Sequence, residues 1–272
     1  MRHISIAVMT FLVGCNGILG IGKPGGVEGD AGADLPDASG GSYDASGESY
    51  DAEPDAEPTA DCFDASPGSG LVSWWRAEGD GTDDGPAQND GANVGATFTT
   101  GRFGQAFLFA GSAYVDAPTA GLPIGSAERT LEMWVRLDEI DTEEAFFGGY
   151  GGFGSSTASY HTGASMSGST AFFSSWGPAI GGPSLTLGQW HHIAATNIGT
   201  AATLYVDGVV AASGSMDFST PSDSRLYIGR IPGALGDMRR LIGAVNEVAV
   251  FDGALTDDDI ELIAAEGKCS PQ

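Results

Sequence analysis

The chain has 272 residues, with 11 lysines and arginines against 36 aspartates and glutamates, which gives a formal net charge of -25. So acidic a chain repels phosphate backbones and anionic lipid headgroups, which excludes a nucleic-acid partner and membrane binding through a basic patch. Its 43 glycines are about twice the average usage, which favours turn-rich β-structure and flexible linkers. The three cysteines exclude a small disulfide scaffold and leave room for one disulfide and one further role.

The first 14 residues predict a signal peptide. The apolar run from Ile4 to Val13 is shorter than the ~20 residues that a membrane-spanning helix needs, and it suits the apolar region of a secretory signal. It ends in Leu12-Val13-Gly14-Cys15, which resembles the bacterial lipobox, where cleavage precedes a cysteine that is then acylated. The resemblance implies a lipid anchor at Cys15 and a place in the bacterial cell envelope, at the outer membrane or cell surface. A plain secretory signal with a chance cysteine is the alternative.

Residues 15–69 predict an acidic disordered linker. From residue 16 onward the segment carries twelve acids and a single base, Lys23. Too little of it is apolar to offset the entropy of ordering the chain. We interpret it as a spacer that lifts a domain off a membrane. An Asp-rich calcium repeat is the alternative, but the fixed glycine and glutamate positions of an EF-hand loop are missing.

Residues 70–272 predict an all-β domain, because short apolar runs alternate with turn residues. Leu131–Leu137 alternates as a half-buried strand does, and Phe107–Phe109 with Tyr114–Val115 predicts a hairpin. The clearest hairpin is 203–211, where Asp207-Gly208 suits the positive φ angles of a type I′ turn. Gly148–Gly152 precedes no helix and predicts a turn. Further strands are predicted at 190–196, 225–229 and 245–251.

One helix is predicted near the C-terminus. Thr256 can cap it, three aspartates follow at the positive end of the helix dipole, and Gly267 can end it. Ile260 and Ile263 would then face a sheet.

Nine short motifs in this domain resemble those of LamG-like jelly rolls, and they occur in the same order. They are Leu71–Trp75, Gly101–Gly104, Phe107–Phe109, Leu131–Arg136, Gly188–Ile193, Leu204–Gly208, Leu226–Gly229, Gly243–Val248 and Gly253–Asp258. The resemblance covers essentially all of residues 70–268. It implies a concanavalin A-like fold, in which two antiparallel sheets form a jelly-roll sandwich. It implies function only loosely, as binding of glycans or proteins, often with calcium.

The resemblance also implies a disulfide and a candidate calcium site. It brings the first and last strands side by side, so that Cys62 and Cys269 can form a disulfide, with two free thiols as the alternative. It places Asn246 where related jelly rolls carry a calcium-binding aspartate. Glu78 and Asp83, with Asp80 and Asp84 beside them, crowd the first loop and could restore the missing charge. A solvated acidic loop without calcium is the alternative.

Glu139, Asp141 and Glu144 match the Glu-x-Asp-x-x-Glu signature of laminarinase-type glycoside hydrolases, which share the jelly-roll fold. That chemistry needs two carboxylates held across the glycosidic bond. The resemblance places this segment in a loop after strand 131–137, and apolar residues that would seat a catalytic strand are missing. We interpret the match as chance and expect no enzymatic activity.

Aromatic residues supply the candidate ligand-binding site. Trp74, Trp75, Trp134 and Trp190 lie on predicted strands and are expected in the core. Tyr150, Tyr160, His161 and Trp176 lie in a Gly/Ser-rich stretch that we expect to form loops, where flat rings can stack on sugars. Rings that merely plug a loop are the alternative.

The function predicted from the sequence is a surface-anchored, non-catalytic binding or adhesion module for a glycan or an extracellular protein. A glycoside hydrolase and a structural envelope protein are the alternatives.

Overall fold

The computed structural model describes residues 62–66 and 69–269. The predicted signal peptide, the lipidation site at Cys15 and the linker up to residue 61 lie outside the described residues. Within the described part of the chain, the helices are all too short or too polar to cross a membrane.

Two antiparallel sheets form the body of the domain. One sheet has seven strands, whose order from edge to edge is β11 (Ala179–Ser184), β10 (Thr170–Ser174), β9 (Ser159–Ser165), β8 (Glu144–Gly151), β15 (Arg225–Ile228), β6 (Tyr114–Ala117) and β3 (Ala92–Val94). The other sheet has eight strands, in the order β14 (Val209–Ser215), β13 (Ala201–Val206), β12 (Trp190–Ile198), β7 (Arg129–Glu139), β16 (Ile242–Phe251), β5 (Gln105–Phe109) and β4 (Thr97–Thr100), with β2 (Leu71–Trp75) paired to β16. The predicted all-β sandwich is confirmed.

The largest buried apolar cluster among the described residues joins the inner faces of the two sheets. Phe107 and Leu131 contribute from the eight-stranded sheet, and Tyr150, Tyr160 and Phe173 contribute from the seven-stranded sheet; all are buried. Strand alternation sends every second residue into this core. The intervening residues of the seven-stranded sheet therefore face away from the core, and it is there that the candidate site lies.

Local sequence signals succeed at two places. The hairpin β13–β14 turns at Asp207 and Gly208, whose φ angles of 54° and 83° are positive as expected. Helix α1 (Asp257–Glu266) begins after Thr256, which accepts the Asp259 N–H while the Asp259 side chain accepts the Thr256 N–H, and it ends at Gly267. Ile260 and Ile263 are buried, as predicted.

Two turn predictions are wrong. The runs 107–109 and 114–115 do not form a hairpin, because β5 and β6 belong to different sheets and the chain crosses between them. The segment Gly148–Gly151 is strand rather than turn. Its glycines serve close packing: a Cβ atom added at Gly149 would lie 2.4 Å from the Cβ of His161 on β9.

The two ends of the described chain meet beside α1. The short strands β1 (Phe63–Asp64) and β17 (Lys268–Cys269) pair in parallel, and a disulfide joins Cys62 to Cys269. The predicted bridge is therefore present. Phe63 packs edge-on against Phe251, so residues before position 70 take part in the fold.

Candidate functional site

A cavity of about 570 Å³ opens on the outer face of the seven-stranded sheet. It lies over β9, β10 and β11, near the start of β8. The side chains and backbone that define it include Glu144, His161, Phe172, Trp176, Gly181 and Arg239.

Strand register places the rings of this cavity. His161 alternates with the inward-facing Tyr160, and Phe172 alternates with the inward-facing Phe173. Phe172 lies opposite Gly163 on β9, and a Cβ atom at Gly163 would come within 2.7 Å of the Phe172 ring. The glycine is therefore needed for the ring to lie across the strand.

Trp176 stands at the turn between β10 and β11. Its φ angle of 68° is rare for a residue other than glycine, and such strain persists only where the surroundings impose it. The backbone N–H of Trp176 donates to Ser174 Oγ at 3.0 Å. The half-buried indole also meets Phe153 edge-on and lies 5.7 Å from His161 between ring centroids. The turn thus holds a partly exposed indole at the mouth of the cavity.

An arginine and a glutamate form the polar wall. Arg239 Nε donates to Glu144 Oε2 at 2.8 Å, and the Arg239 guanidinium carbon lies 4.8 Å from the centroid of Trp176. Arg239 follows a 3-10 helix (Ala234–Asp237) in the connection between β15 and β16. Met238 O also accepts from Glu144 N at 3.3 Å, which ties this connection to the start of β8.

His161 is neutral in this setting. Burial first, and the positive charge of Arg239 second, lower its pKa to about 3. Its Nδ1 lies 3.0 Å from Ser159 Oγ, whereas its Nε2 has no protein partner among the described residues. The ring is stacked on Phe146 with centroids 5.7 Å apart. The cavity therefore holds an uncharged imidazole with a free hydrogen-bonding atom.

The structure divides the four aromatic candidates into two pairs. His161 and Trp176 line the cavity. The prediction that Tyr150 and Tyr160 belong to a surface site is wrong, because both rings are 0% exposed and point between the sheets. The expected loop is mostly strand in this region, so neighbouring residues face opposite ways.

The expected loop after the strand at 131–137 is confirmed for residues 140–143, which lie between β7 and β8. Glu139 ends β7 in the eight-stranded sheet, and Glu144 begins β8 in the seven-stranded sheet. Asp141 lies between them in an ion pair with Arg240. Of the three carboxylates, Glu144 alone is among the described residues that line the cavity.

The residues of the predicted calcium site are engaged with protein groups. The Asn246 side chain accepts from Phe103 N at 2.9 Å and donates to the carbonyls of Arg76 at 3.0 Å and Gln105 at 2.7 Å. The amide nitrogen thus donates to the two carbonyls that a cation would need, so the residues as placed do not form a coordination shell.

The acids of the first loop are engaged as well. Asp83 accepts from three backbone N–H groups, those of Trp74, Gly85 and Asn89, and Glu78 accepts from Gln105 N at 3.3 Å. Residues 62–66 and 69–269 contain no group of three or more His, Cys, Asp or Glu side chains placed to hold a metal ion. Calcium binding at Asn246, Glu78 and Asp83 stays a prediction.

A second charged cluster is buried under the C-terminal strand. Lys268 Nζ donates to Glu132 Oε1 at 2.6 Å and lies 3.5 Å from Glu247 Oε2, while His192 Nε2 lies 3.1 Å from Glu132 Oε2. Burial tends to raise the pKa of Glu132, but Lys268 and His192 hold it below its usual value. For Glu247, burial outweighs Lys268 and raises the pKa. The cluster fixes β17 to the sheet and is separate from the cavity.

Sequence reasoning missed Phe172 and Arg239. The alternation of Ala171, Phe172 and Phe173 shows that one ring of two faces outward, but it does not say which. Arg239 carried no signal, because its partner Glu144 lies 95 residues away in the sequence.

Comparison with known proteins agrees with this architecture. Residues 109–261 match the laminin G family described as the concanavalin A-like lectin/glucanases superfamily. Because this match covers more than half of the chain, the protein belongs to that family. A comparison with curated protein sequences finds no match.

Several solved structures share the fold at low identity. Domain 4 of AbnA, a GH43 extracellular arabinanase from Geobacillus stearothermophilus in complex with arabinotriose, is 19% identical with a TM-score of 0.57, covering 71% of this chain and 98% of that one. The Trypanosoma rangeli sialidase in complex with sialic acid is 19% identical with a TM-score of 0.56, covering 73% of this chain and 33% of that one. The binding domain of Paraclostridial Mosquitocidal Protein 1 is 16% identical with a TM-score of 0.56, covering 72% of this chain and 52% of that one. The chain thus spans about a third of the sialidase and about half of the mosquitocidal domain.

Proposed function

We propose that this protein is a non-catalytic carbohydrate-binding module, held outside the cytoplasm by a lipid at Cys15. The observation that carries the proposal is the partly exposed Trp176, fixed by a strained turn at the mouth of a cavity of about 570 Å³. The volume lies within the ~300–1,000 Å³ range of small-molecule sites, which suits a short oligosaccharide.

The chemistry of the lining suits a sugar. A flat ring can pack against the C–H face of a pyranose or furanose, as Trp176 and Phe172 are placed to do. The Glu144 carboxylate accepts and the Arg239 guanidinium donates hydrogen bonds, which matches the mixed donor and acceptor character of sugar hydroxyls. The arabinanase domain that shares this fold was solved with arabinotriose, which supports the same ligand class here.

The positions of the carboxylates support binding rather than hydrolysis. Glycoside hydrolysis uses two carboxylates that flank the scissile bond, about 5–5.5 Å apart in retaining enzymes and about 6.5–9.5 Å apart in inverting ones. Glu144 is the one carboxylate among the described residues lining the cavity, and Arg239 pairs with it.

Filling the cavity tests this proposal. Gly181 lines the cavity on edge strand β11, and a Cβ atom added there meets only Thr170, at 4.0 Å. Gly181→Leu should therefore fill the site without disturbing the fold and abolish binding on an oligosaccharide array. The matched control is Gly253→Leu, because a Cβ atom at Gly253 meets nothing within 4 Å and Gly253 is outside the cavity lining; it should bind as the unmodified protein does.

Three results would contradict the proposal. Binding that survives Gly181→Leu would place the ligand elsewhere. Absence of binding to any glycan would favour an extracellular protein ligand or a structural envelope role. Release of reducing sugar from β-glucans, lost in Glu144→Gln, would favour the hydrolase.

The proposed location has its own support and test. The Cys62–Cys269 disulfide is typical of proteins outside the reducing cytoplasm. Lipidation at Cys15 predicts that the unmodified protein partitions with membranes and that Cys15→Ser is released in soluble form. A Cys15→Ser protein that stayed in the membrane fraction would contradict the anchor.

A further inference from the structure

The charges around the cavity bear on which sugars it can accept. Arg239 and Glu144 are in direct contact at 2.8 Å, so the cation in the wall is already neutralised. His161 adds no positive charge, because its pKa of about 3 keeps the ring neutral near pH 7. The lining therefore offers an acidic ligand no uncompensated cation.

The charge of the rest of the domain also disfavours binding of an anionic ligand. Residues 62–269 contain nine lysines and arginines against 25 aspartates and glutamates. The neighbouring Arg240 is itself paired, with Asp141, and Glu143 beside Glu144 is exposed. The domain as a whole is therefore strongly acidic, which disfavours the approach of anions.

We propose that the Glu144–Arg239 pair makes this site select uncharged oligosaccharides over those bearing carboxylates or sulfates. This inference rests on the proposed carbohydrate-binding function. A neutral sugar stacks on Trp176 and hydrogen-bonds to the outer atoms of the pair without separating it. An acidic sugar must either compete with Glu144 for Arg239 or approach Glu144 as a like charge, and both cost free energy.

A matched pair of variants separates this local effect from the overall charge. Glu144→Gln removes the carboxylate that neutralises Arg239 and frees the guanidinium for an acidic ligand. Asp141→Asn removes the carboxylate that neutralises Arg240 and changes the net charge by the same amount, but Asp141 lies outside the described lining of the cavity. Asp141 and Glu144 are three residues apart in the sequence, and their arginine partners are adjacent. The two substitutions should therefore change the electrostatic potential far from the cavity by nearly equal amounts.

The probes are α-1,4-linked galactotriose and trigalacturonate, which differ in the oxidation state of C6, together with an array of neutral and acidic oligosaccharides. The unmodified full chain should bind neutral members at least about tenfold more tightly than acidic members of equal length, equivalent to about 1.4 kcal/mol. Glu144→Gln should reduce that preference by about tenfold, whereas Asp141→Asn should leave it within about twofold. Binding of neutral members should change little between about 50 mM and about 500 mM salt, because no charge pair forms with the ligand.

Each outcome is decisive. Tighter binding of acidic members by the unmodified protein would overturn the selectivity and leave carbohydrate binding standing. An equal shift in both variants would assign the selectivity to the overall negative field rather than to the pair. An unchanged preference in Glu144→Gln would remove the role of Glu144. No binding of either class would end the proposed function and this inference together.

Discussion

Against the inner face of the seven-stranded sheet, an arginine from β7 of the opposite sheet contacts two tyrosines, and on the outer face another arginine lies against a tryptophan. Arg129 is 0% exposed, and its guanidinium carbon is 5.9 Å from the ring centroid of Tyr150 and 5.0 Å from that of Tyr160. Arg239 is partly exposed and lies 4.8 Å from Trp176. An arginine against aromatic rings therefore forms a sealed core contact on one face and part of the wall of an open cavity on the other.

The two arginines differ in how their charge is satisfied. Within the described residues, the Arg129 side chain donates to backbone carbonyls and hydroxyls, those of Pro123, Ile124, Gly125, Ala127, Tyr150 and Thr220. Arg239 has a carboxylate partner, Glu144. A buried charge must meet all its hydrogen bonds inside the protein, whereas an open one keeps donors available to water or a ligand.

The largest effect should come from replacing the inner arginine. Arg129→Met leaves several buried acceptors without donors, at about 1–3 kcal/mol each, and should lower the free energy of unfolding by about 3–5 kcal/mol in all. Arg239→Met breaks a partly exposed pair and should cost less than about 1 kcal/mol. Urea unfolding of both variants measures the difference. Equal losses would mean that the outer pair is as important to the fold as the inner one.

His161 should make the free energy of unfolding depend on pH in the acidic range. Its pKa is about 3 when folded and 6.5 when unperturbed, so between these values the unfolded chain holds a proton that the folded chain lacks. Stability should therefore fall as pH drops through this window, by about 1.4 kcal/mol per pH unit. Urea midpoints in this window should show a shallower decline for His161→Gln than for the unmodified protein. His191→Gln, at a partly exposed position on β12, is the control. Identical slopes for His161→Gln and the unmodified protein would mean that the buried ring is not the titrating group.

Trp176 separates stability from binding. Trp176→Ala removes a half-buried ring from a turn and should cost about 1 kcal/mol of stability while abolishing glycan binding. The inward counterpart Tyr160→Ala should cost several times more, because it empties a filled core. Thermal melts and array binding give both readouts. If Trp176→Ala bound glycans normally, the proposed packing of the Trp176 ring against the sugar would be wrong.

The smallest expected effect concerns calcium on the eight-stranded sheet. Asn246→Asp replaces the amide donor that faces the Arg76 and Gln105 carbonyls with a carboxylate, which leaves those oxygens available to a cation. Calcium should then stabilise the variant more than the unmodified protein, by about 1 kcal/mol at about five times its Kd. Melting temperatures with calcium and with chelator measure this. If calcium raised the melting temperature of neither protein, the prediction of a calcium site at Asn246 would be wrong.

Local signals in the sequence anticipated much of the fold. Apolar patterns identified strands such as β7, β12 and β16, Asp207-Gly208 identified the hairpin β13–β14, and Thr256 and Gly267 identified the ends of α1. These features depend on residues adjacent in the chain, where period, turn chemistry and capping act directly. The strands β8, β9 and β10, by contrast, were expected as loops. The crossing from β5 to β6 was not anticipated, because a short turn-like segment also suits a chain that changes sheets.

The sequence by itself determined that the 146–176 stretch is rich in rings, that residues 70–268 resemble a two-sheet sandwich, and that Cys62 and Cys269 lie at ends that can meet. Only the tertiary structure decided which rings face the core and which face the cavity. A shift of one residue in strand register exchanges the two faces, so Tyr160 and His161 could not be told apart beforehand. The pairing of Glu144 with Arg239 likewise required the whole fold, because it joins the start of β8 to the connection between β15 and β16.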